Sequence, residues 1–167
     1  YCHDCYHSLP AQGINDYYFK PEPIFYGTGK RFFGVELEID EGGECDSNAE
    51  KILRVANSDS ELVYIKHDGS LNDGFEIVTH PMTLSFHENQ MPWAEIMETA
   101  KEMGYVSHQA GTCGLHVHIN RTTFGATVSE QEAAIARVLY FFEKFWDELL
   151  KFSRRTQRQL DRWAARY

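Results

Sequence analysis

RFFGVELEID, residues 31–40, contains the alternation of side chains from which the fold of this chain can be worked out. Glu36 and Glu38 alternate with Val35, Leu37 and Ile39, and such alternation is typical of a half-buried β-strand. The strand would place both carboxylates on one face and the aliphatic side chains on the other. Because neighbouring carboxylates repel each other, this spacing suits either a solvated acidic face or a bound cation.

Two further stretches repeat this alternation. In FEIVT, residues 75–79, Glu76 lies between apolar residues, and in LHVHI, residues 115–119, His116 and His118 do the same. If these strands share one sheet with the first, their carboxylates and imidazoles converge on one surface. A surface designed only for solubility would mix in lysines. The pattern therefore predicts a divalent-metal site, rich in oxygen ligands and suited to Mg²⁺ or Mn²⁺.

Helices are predicted behind the sheet. One follows Ser47 or Asn48, either of which could serve as its N-cap. Another spans 83–103, where Pro92 should divide it. The expected fold class is α+β: a mainly antiparallel sheet with an open polar face and helices covering the apolar face.

A long C-terminal helix is predicted to complete the helical layer. Ser129 and Glu132 have the spacing of a capping box, and we expect a helix from there to residue 167. Its apolar residues at helical spacing should belong to the core. These residues are Ile135, Leu139, Phe142, Trp146 and Leu149.

The bulk composition narrows the class of protein. A chain of 167 residues with 43% hydrophobic residues is long enough for one domain with a core. Its formal charge of −9 disfavours nucleic-acid binding by the domain as a whole. There is no apolar run of the ~20 residues that a membrane span needs. Four irregularly spaced cysteines suggest a reducing compartment, so we expect a cytoplasmic protein without a membrane partner.

The N-terminal segment, residues 1–24, carries a separate metal-binding pattern. Cys2 and Cys5 form a CxxC pair, which is half of a typical zinc site. The other half could lie upstream, His7 could complete a local Zn²⁺ site, or the pair could be a remnant. We therefore expect residues 1–24 to be half of a zinc module or a remnant of one, before a domain that spans 25–167.

The motifs together resemble a known family. GVELEID, then DGSL with FEIVTHP, then GLHVHIN, in this order, resemble the amidoligases, which are similar to the glutamine synthetase and γ-glutamylcysteine ligase superfamily of carboxylate–amine ligases. The resemblance covers about residues 25–167. It implies a curved, mainly antiparallel sheet whose concave face binds ATP and two or more Mg²⁺ ions. The residues that match the family's catalytic and metal-binding positions are Glu36, Glu38, Glu76, His116 and His118.

The resemblance also implies a reaction and further binding residues. ATP would phosphorylate a small-molecule or peptide carboxylate, and an amine would then attack the acyl phosphate. Lys66, at the end of a predicted strand over residues 61–66, is a candidate for contact with phosphate or carboxylate. Arg31 and Arg121 are further candidates, and Asp68 should lie in a rim turn beside the cofactor.

Relatives of this kind have more strands after the long helix, with glutamate and arginine residues that complete the site. This sequence stops at Tyr167, so we expect either an incomplete domain or a remnant that no longer ligates, and in both cases a poor enzyme by itself. We expect the protein to be of bacterial or phage origin. Two other functions fit the residues. One is a zinc-dependent hydrolase that uses the histidine pair. The other is a non-catalytic binding or inhibitor protein, phage-borne, that docks a protein partner through the acidic face.

Overall fold

Four strands and five α-helices are present in the part of the chain that the computed structural model describes, residues 13–154, 160 and 161. The strands are β1 (Phe33–Ile39), β2 (Val63–Lys66), β3 (Phe75–Thr79) and β4 (Leu115–Ile119). The α-helices are α1 (Asp46–Ala56), α2 (Leu84–Asn89), α3 (Trp93–Glu102), α4 (Val128–Lys144) and α5 (Trp146–Ser153). The chain divides into two units at Asn120 and Arg121. The zinc prediction for Cys2 and Cys5 lies outside the described residues.

The four strands form one antiparallel sheet in the order β2-β3-β1-β4. The register places Glu38 opposite Glu76 and Glu36 opposite His116. On the far side of β3, Lys66 lies opposite Glu76. The predicted α+β class and the antiparallel sheet are therefore confirmed, whereas the curvature of the sheet and its likeness to glutamine synthetase remain predictions.

The core lies between the apolar face of β1, β2 and β3 and the helices α1 and α3. Ile39, Phe75 and Ile77 of the sheet pack with Ile52 of α1 and Ile96 of α3, and all five side chains are buried. Full burial of a side chain of this kind stabilises the fold by about 1.5–3 kcal/mol. This packing fixes which face of the sheet is apolar, and so it fixes the opposite face as the polar one.

The N-cap of α1 differs from the prediction. Cys45 occupies the cap position, with no side-chain capping hydrogen bond, in place of the expected Ser47 or Asn48. The Asn48 amide instead donates to the Gly42 carbonyl at 3.0 Å and to the Tyr105 hydroxyl at 3.3 Å. The side chain that could cap the helix is thus used to hold the loop before it. By contrast, Pro92 divides the predicted helix over residues 83–103 as expected, because α2 ends before it and α3 begins after it.

Strand β4 departs from the expectation that every strand buries its apolar face. Leu115 and Val117 are each 61% exposed. The core cluster contains residues of β1, β2 and β3 but none of β4. The prediction of a buried apolar face at β4 is therefore wrong for the described structure, because this strand lies at the sheet edge beyond the packed core.

The second unit begins with a short 3₁₀ helix, Arg121–Phe124, and contains α4 and α5. Its capping box is formed by Thr127 and Glu130, two residues earlier than predicted. The predicted continuous helix is interrupted at Phe145, where α4 ends and α5 begins. The predicted core stripe is not buried either, since Leu139 is 54% exposed and Phe142 is 47% exposed. None of the described helices combines the length and apolar content that a membrane span requires.

The segment before β1 runs beside the free edge of β2. The backbone N–H of Asn15 donates to the Ile65 carbonyl at 2.9 Å, and the Asn15 carbonyl accepts from the His67 N–H at 2.9 Å. The Asn15 side chain donates to the same Ile65 carbonyl. Residue 15 thus forms a parallel bridge with Lys66 and continues the sheet by one residue.

Candidate metal centre

The polar face of the sheet brings together the side chains predicted from the sequence. Because side chains two residues apart on a strand share a face, Glu36 and Glu38 point to the same side of β1. The register aligns them with Glu76 on β3 and with His116 on β4. The prediction that these groups converge on one surface is confirmed, and the geometry divides them into two groups of potential ligands.

The first group consists of Glu36, Glu76 and His116, whose ligand atoms all lie within 4.8 Å of one another. His116 Nδ1 lies 3.2 Å from Glu36 Oε2. His118 Nε2 lies 3.1 Å from the same oxygen, although His118 does not belong to the group. Both imidazoles therefore orient a single carboxylate.

These imidazoles also control the charge of Glu36. Burial raises the pKa of the Glu36 carboxyl, but the hydrogen bonds and charges of His118 and His116 outweigh it and bring the pKa below its usual value. Glu36 is thus held as a carboxylate at neutral pH, which is the form that ligates a cation.

The second group consists of Glu38, Asp68 and Glu76, again with ligand atoms within 4.8 Å of one another. Glu38 and Glu76 are buried, with 6% and 5% of their surface exposed. Glu38 Oε2 accepts a hydrogen bond from the Gly114 N–H. Asp68 was predicted as a cofactor contact only, because no pattern in the sequence indicates that its loop brings the carboxylate to this group.

Glu76 belongs to both groups and is paired with Lys66. The Lys66 Nζ atom lies 3.5 Å from Glu76 Oε2 and 5.4 Å from the centre of the Tyr17 ring. Burial, the charge of Glu36 and, to a smaller extent, the charge of Asp68 raise the pKa of Glu76. The ammonium of Lys66 lowers it, but the pKa stays above its usual value. The predicted phosphate ligand Lys66 therefore already lies beside the shared carboxylate.

An aromatic border lies beside these carboxylates on β2 and the segment before β1. Tyr64 packs edge-on against Phe19, with 5.6 Å between ring centres, and lies 5.7 Å from the ring of His80. Burial, followed by the charges of Glu36 and Glu76, raises the pKa of Tyr64 to about 12, so this phenol stays neutral. His80 is 2% exposed and its Nδ1 accepts from the backbone N–H of residue 24 at 3.3 Å. Burial lowers the pKa of His80.

The two arginines that were predicted to bind phosphate occupy different units. Arg31 is exposed and lies two residues before β1. Arg121 lies in the second unit, where its Nε donates to Gln131 at 2.9 Å and its guanidinium pairs with Glu132 at 3.2 Å. Arg121 thus holds the first turn of α4, and a phosphate contact by either arginine stays a prediction.

The fold and the polar face define this chain as an α+β protein whose antiparallel sheet carries carboxylates and an imidazole at the spacing of potential metal ligands. A family model described as "Putative amidoligase enzyme" matches residues 37–167, which is most of the chain. The chain therefore belongs to the amidoligase family. The matched range includes Glu38, Asp68, Glu76 and His116 and begins one residue after Glu36. No curated protein and no solved structure matches the chain.

Proposed function

We propose that this chain supplies the ATP- and divalent-cation-binding face of a carboxylate–amine ligase, which forms an amide or peptide bond through an acyl phosphate. Membership of the amidoligase family supports the reaction class. The observation that carries the proposal is the overlap of two three-ligand groups at Glu76. Two neighbouring cations that share a ligand are a known arrangement for phosphoryl chemistry.

The donor atoms fit the proposed cations. The group of Glu38, Asp68 and Glu76 offers carboxylate oxygens only, which suits Mg²⁺. The other group replaces one carboxylate with the His116 imidazole, a ligand that Mn²⁺ accepts readily. When bound, such cations neutralise phosphate oxygens and hold them in line for transfer.

The charge of the face makes nucleotide binding depend on the cation. Glu36, Glu38, Asp68 and Glu76 form a concentration of carboxylates that would repel the triphosphate of ATP and an anionic substrate. Lys66 supplies one opposing positive charge at this place, and it would contact phosphate or the acid substrate. We therefore expect the protein to bind ATP only together with Mg²⁺ or Mn²⁺.

The proposed reaction has two steps. A carboxylate oxygen of the acid substrate attacks the γ-phosphorus of ATP, and the bond to the β,γ-bridging oxygen breaks, which releases ADP and gives the acyl phosphate. The amine nitrogen then attacks the carbonyl carbon, loses a proton and expels phosphate. The acid and amine are small molecules or peptides. Lys66 and the cations that the carboxylates would hold would supply the positive charge that stabilises the first step.

Calorimetric titration of ATP, with and without Mg²⁺, tests this proposal. We expect Mg²⁺-dependent binding to the wild-type protein and its loss in Glu36→Gln/Glu38→Gln. Glu98→Gln, a change of an exposed carboxylate on α3, is the matched control and should bind like wild type. The absence of binding to the wild-type protein at millimolar ATP and Mg²⁺ would refute the ligase proposal.

A zinc-dependent hydrolase is the second candidate, and one observation favours it. His116 and His118 both lie within 3.2 Å of Glu36, and two histidines with one glutamate are a known catalytic zinc set. This function predicts tight Zn²⁺ binding that needs both histidines and is indifferent to ATP. A protein that binds neither Zn²⁺ nor nucleotide would instead fit a non-catalytic binding or inhibitor protein.

A further inference from the structure

Asp40, the residue directly after β1, is fully buried and its carboxylate accepts four hydrogen bonds. Oδ1 accepts from the backbone N–H groups of Asp73 at 2.7 Å and Glu41 at 2.9 Å. Oδ2 accepts from the backbone N–H of Asn72 at 3.1 Å and from the Thr112 hydroxyl at 2.6 Å. The carboxylate is fully occupied by these donors, so it is unsuited to ligating a cation itself.

Three of the four donors to Asp40 (Asn72, Asp73 and Thr112) belong to two loops that adjoin the second ligand group. The loop over residues 67–74 carries Asp68, and the Asp68 carboxylate is one of the three ligands. The stretch that leads into β4, residues 107–114, ends at Gly114, whose N–H donates to Glu38. Asp40 thus holds the loop of one ligand and the hydrogen-bond partner of another.

The first of these loops is also fixed where it enters β3. The Asp73 carboxylate accepts from the Glu44 N–H at 2.9 Å, and the Asp73 carbonyl accepts from the Gly43 N–H at 3.0 Å. A Cβ at Gly74 would lie 2.0 Å from the Ile39 carbonyl oxygen, so the loop lies directly against the backbone of β1. The carboxylate of Asp40 is therefore the central acceptor of a tightly packed junction.

The first ligand group has a different support. Glu36, Glu76 and His116 all lie within strands, and their positions follow from the register of the sheet. We propose that Asp40 is a positioning residue for the Glu38–Asp68–Glu76 group and has little influence on the Glu36–Glu76–His116 group. This role rests on the proposed function in one respect, namely that both groups bind cations.

Titration of the full chain with Mn²⁺, followed by calorimetry and electron paramagnetic resonance, tests this role. The wild-type protein should bind two Mn²⁺ ions with a spectrum broadened by their proximity. Asp40→Asn should lower the affinity for one of the two ions by about 10–100-fold, which is the usual effect of removing a residue that orients metal ligands. The broadening of the spectrum should disappear with it. The other ion should keep its affinity within about 2-fold, a selectivity that general destabilisation would not produce.

Two further variants keep the test decisive. Thr112→Val removes one of the four hydrogen bonds to Asp40 and should lower the affinity for the same ion to a smaller extent. This variant tests the role of Asp40 if Asp40→Asn does not fold. Asp46→Asn changes a carboxylate that belongs to neither ligand group and accepts from the Ile14 N–H at 2.9 Å, and it should leave the affinities for both ions unchanged.

The outcomes separate this role from the proposed function. A wild-type protein that binds no Mn²⁺ overturns the metal centre and the role of Asp40 with it. A wild-type protein that binds two ions, together with an Asp40→Asn variant in which both affinities are unchanged or equally reduced, overturns the role of Asp40 alone.

Discussion

Replacing Glu76 with glutamine should raise the stability of the metal-free protein and lower the stability of the metal-bound protein. Glu76 is buried beside Glu36, Glu38 and Asp68. Burial and the charges of Glu36 and Asp68 oppose its ionised form, as its raised pKa indicates. With cations bound, the effect of Glu76→Gln on stability changes sign, because the Glu76 carboxylate would then ligate both ions.

The magnitude follows from the distances. Two unit charges at 4.8 Å, the outer spacing within each ligand group, repel by roughly 3.5 kcal/mol at an effective dielectric constant of about 20. The Lys66 ammonium at 3.5 Å attracts Glu76 by roughly 4.7 kcal/mol on the same scale. Three carboxylates therefore outweigh one ammonium. After partial screening by solvent, we expect Glu76→Gln to gain on the order of 1 kcal/mol without metal, or about 2–4 °C in Tm.

Metal supplies the opposite change. A cation at 100 times its Kd stabilises the folded state by about 2.7 kcal/mol for each site, and the variant should lose most of this because both groups lose a ligand. Urea unfolding in EDTA and in MnCl₂ measures both effects, with Glu98→Gln as the control. The reasoning is refuted if Glu76→Gln is less stable than wild type in EDTA and Mn²⁺ stabilises both proteins equally.

Three further predictions concern separate parts of the structure. His116→Asn should lower Mn²⁺ affinity by about 10-fold or more, whereas His118→Asn should have a smaller effect, because only His116 belongs to a ligand group; calorimetry giving the reverse order would contradict this assignment. The pKa of His80 in the folded protein is below its ordinary value of 6.5, so the folded state favours the neutral ring. The contribution of neutral His80 to the free energy of unfolding is complete above pH 6.5 and is lost as the pH falls through the lower folded pKa. Urea midpoints between about pH 5 and 7.5 should show this loss in wild type and less of it in His80→Gln. Gly74→Ala should cost about 3 kcal/mol or more, because its Cβ would meet a backbone carbonyl of β1 at 2.0 Å, whereas Gly69→Ala, whose Cβ would make only an ordinary contact, should unfold like wild type.

The polar face could be predicted from the sequence because the direction of a side chain on a strand depends only on its position along that strand. Once β1, β3 and β4 were recognised, Glu36, Glu76 and His116 had to share a face if the strands paired in one sheet. The hydrophobic alternation determined all three strands without any knowledge of their order. The order itself, with β1 between β3 and β4, depends on long-range packing that local alternation does not encode.

The loop-borne part of the site could not be predicted in this way. The Asp68 carboxylate lies in a loop whose Asn72 and Asp73 N–H groups donate to Asp40, a residue far earlier in the chain. Its sequence neighbourhood, a turn beside Gly69, would look the same in an ordinary hairpin. Asp40 itself carried no signal, because an aspartate at a strand end is common in solvent-exposed positions.

The shifted capping box has a simple physical origin. Thr127–Glu130 and Ser129–Glu132 both have the spacing of a capping box, so the sequence alone offers two overlapping starts for the same helix. The structure uses the first, in which Thr127 has extended backbone angles and its side chain accepts from the Glu130 N–H. Helix ends are determined by such small differences in backbone energy.

The pairing of Asn15 with β2 has a consequence for self-association of the protein. An unpaired outer strand offers its backbone N–H and C=O groups to any other extended chain, and this is a common route to aggregation. Asn15 occupies both the Ile65 carbonyl and the His67 N–H, so a residue far from β2 in sequence covers part of this edge of the sheet. Removing it would expose a strand ready to pair with a neighbouring molecule.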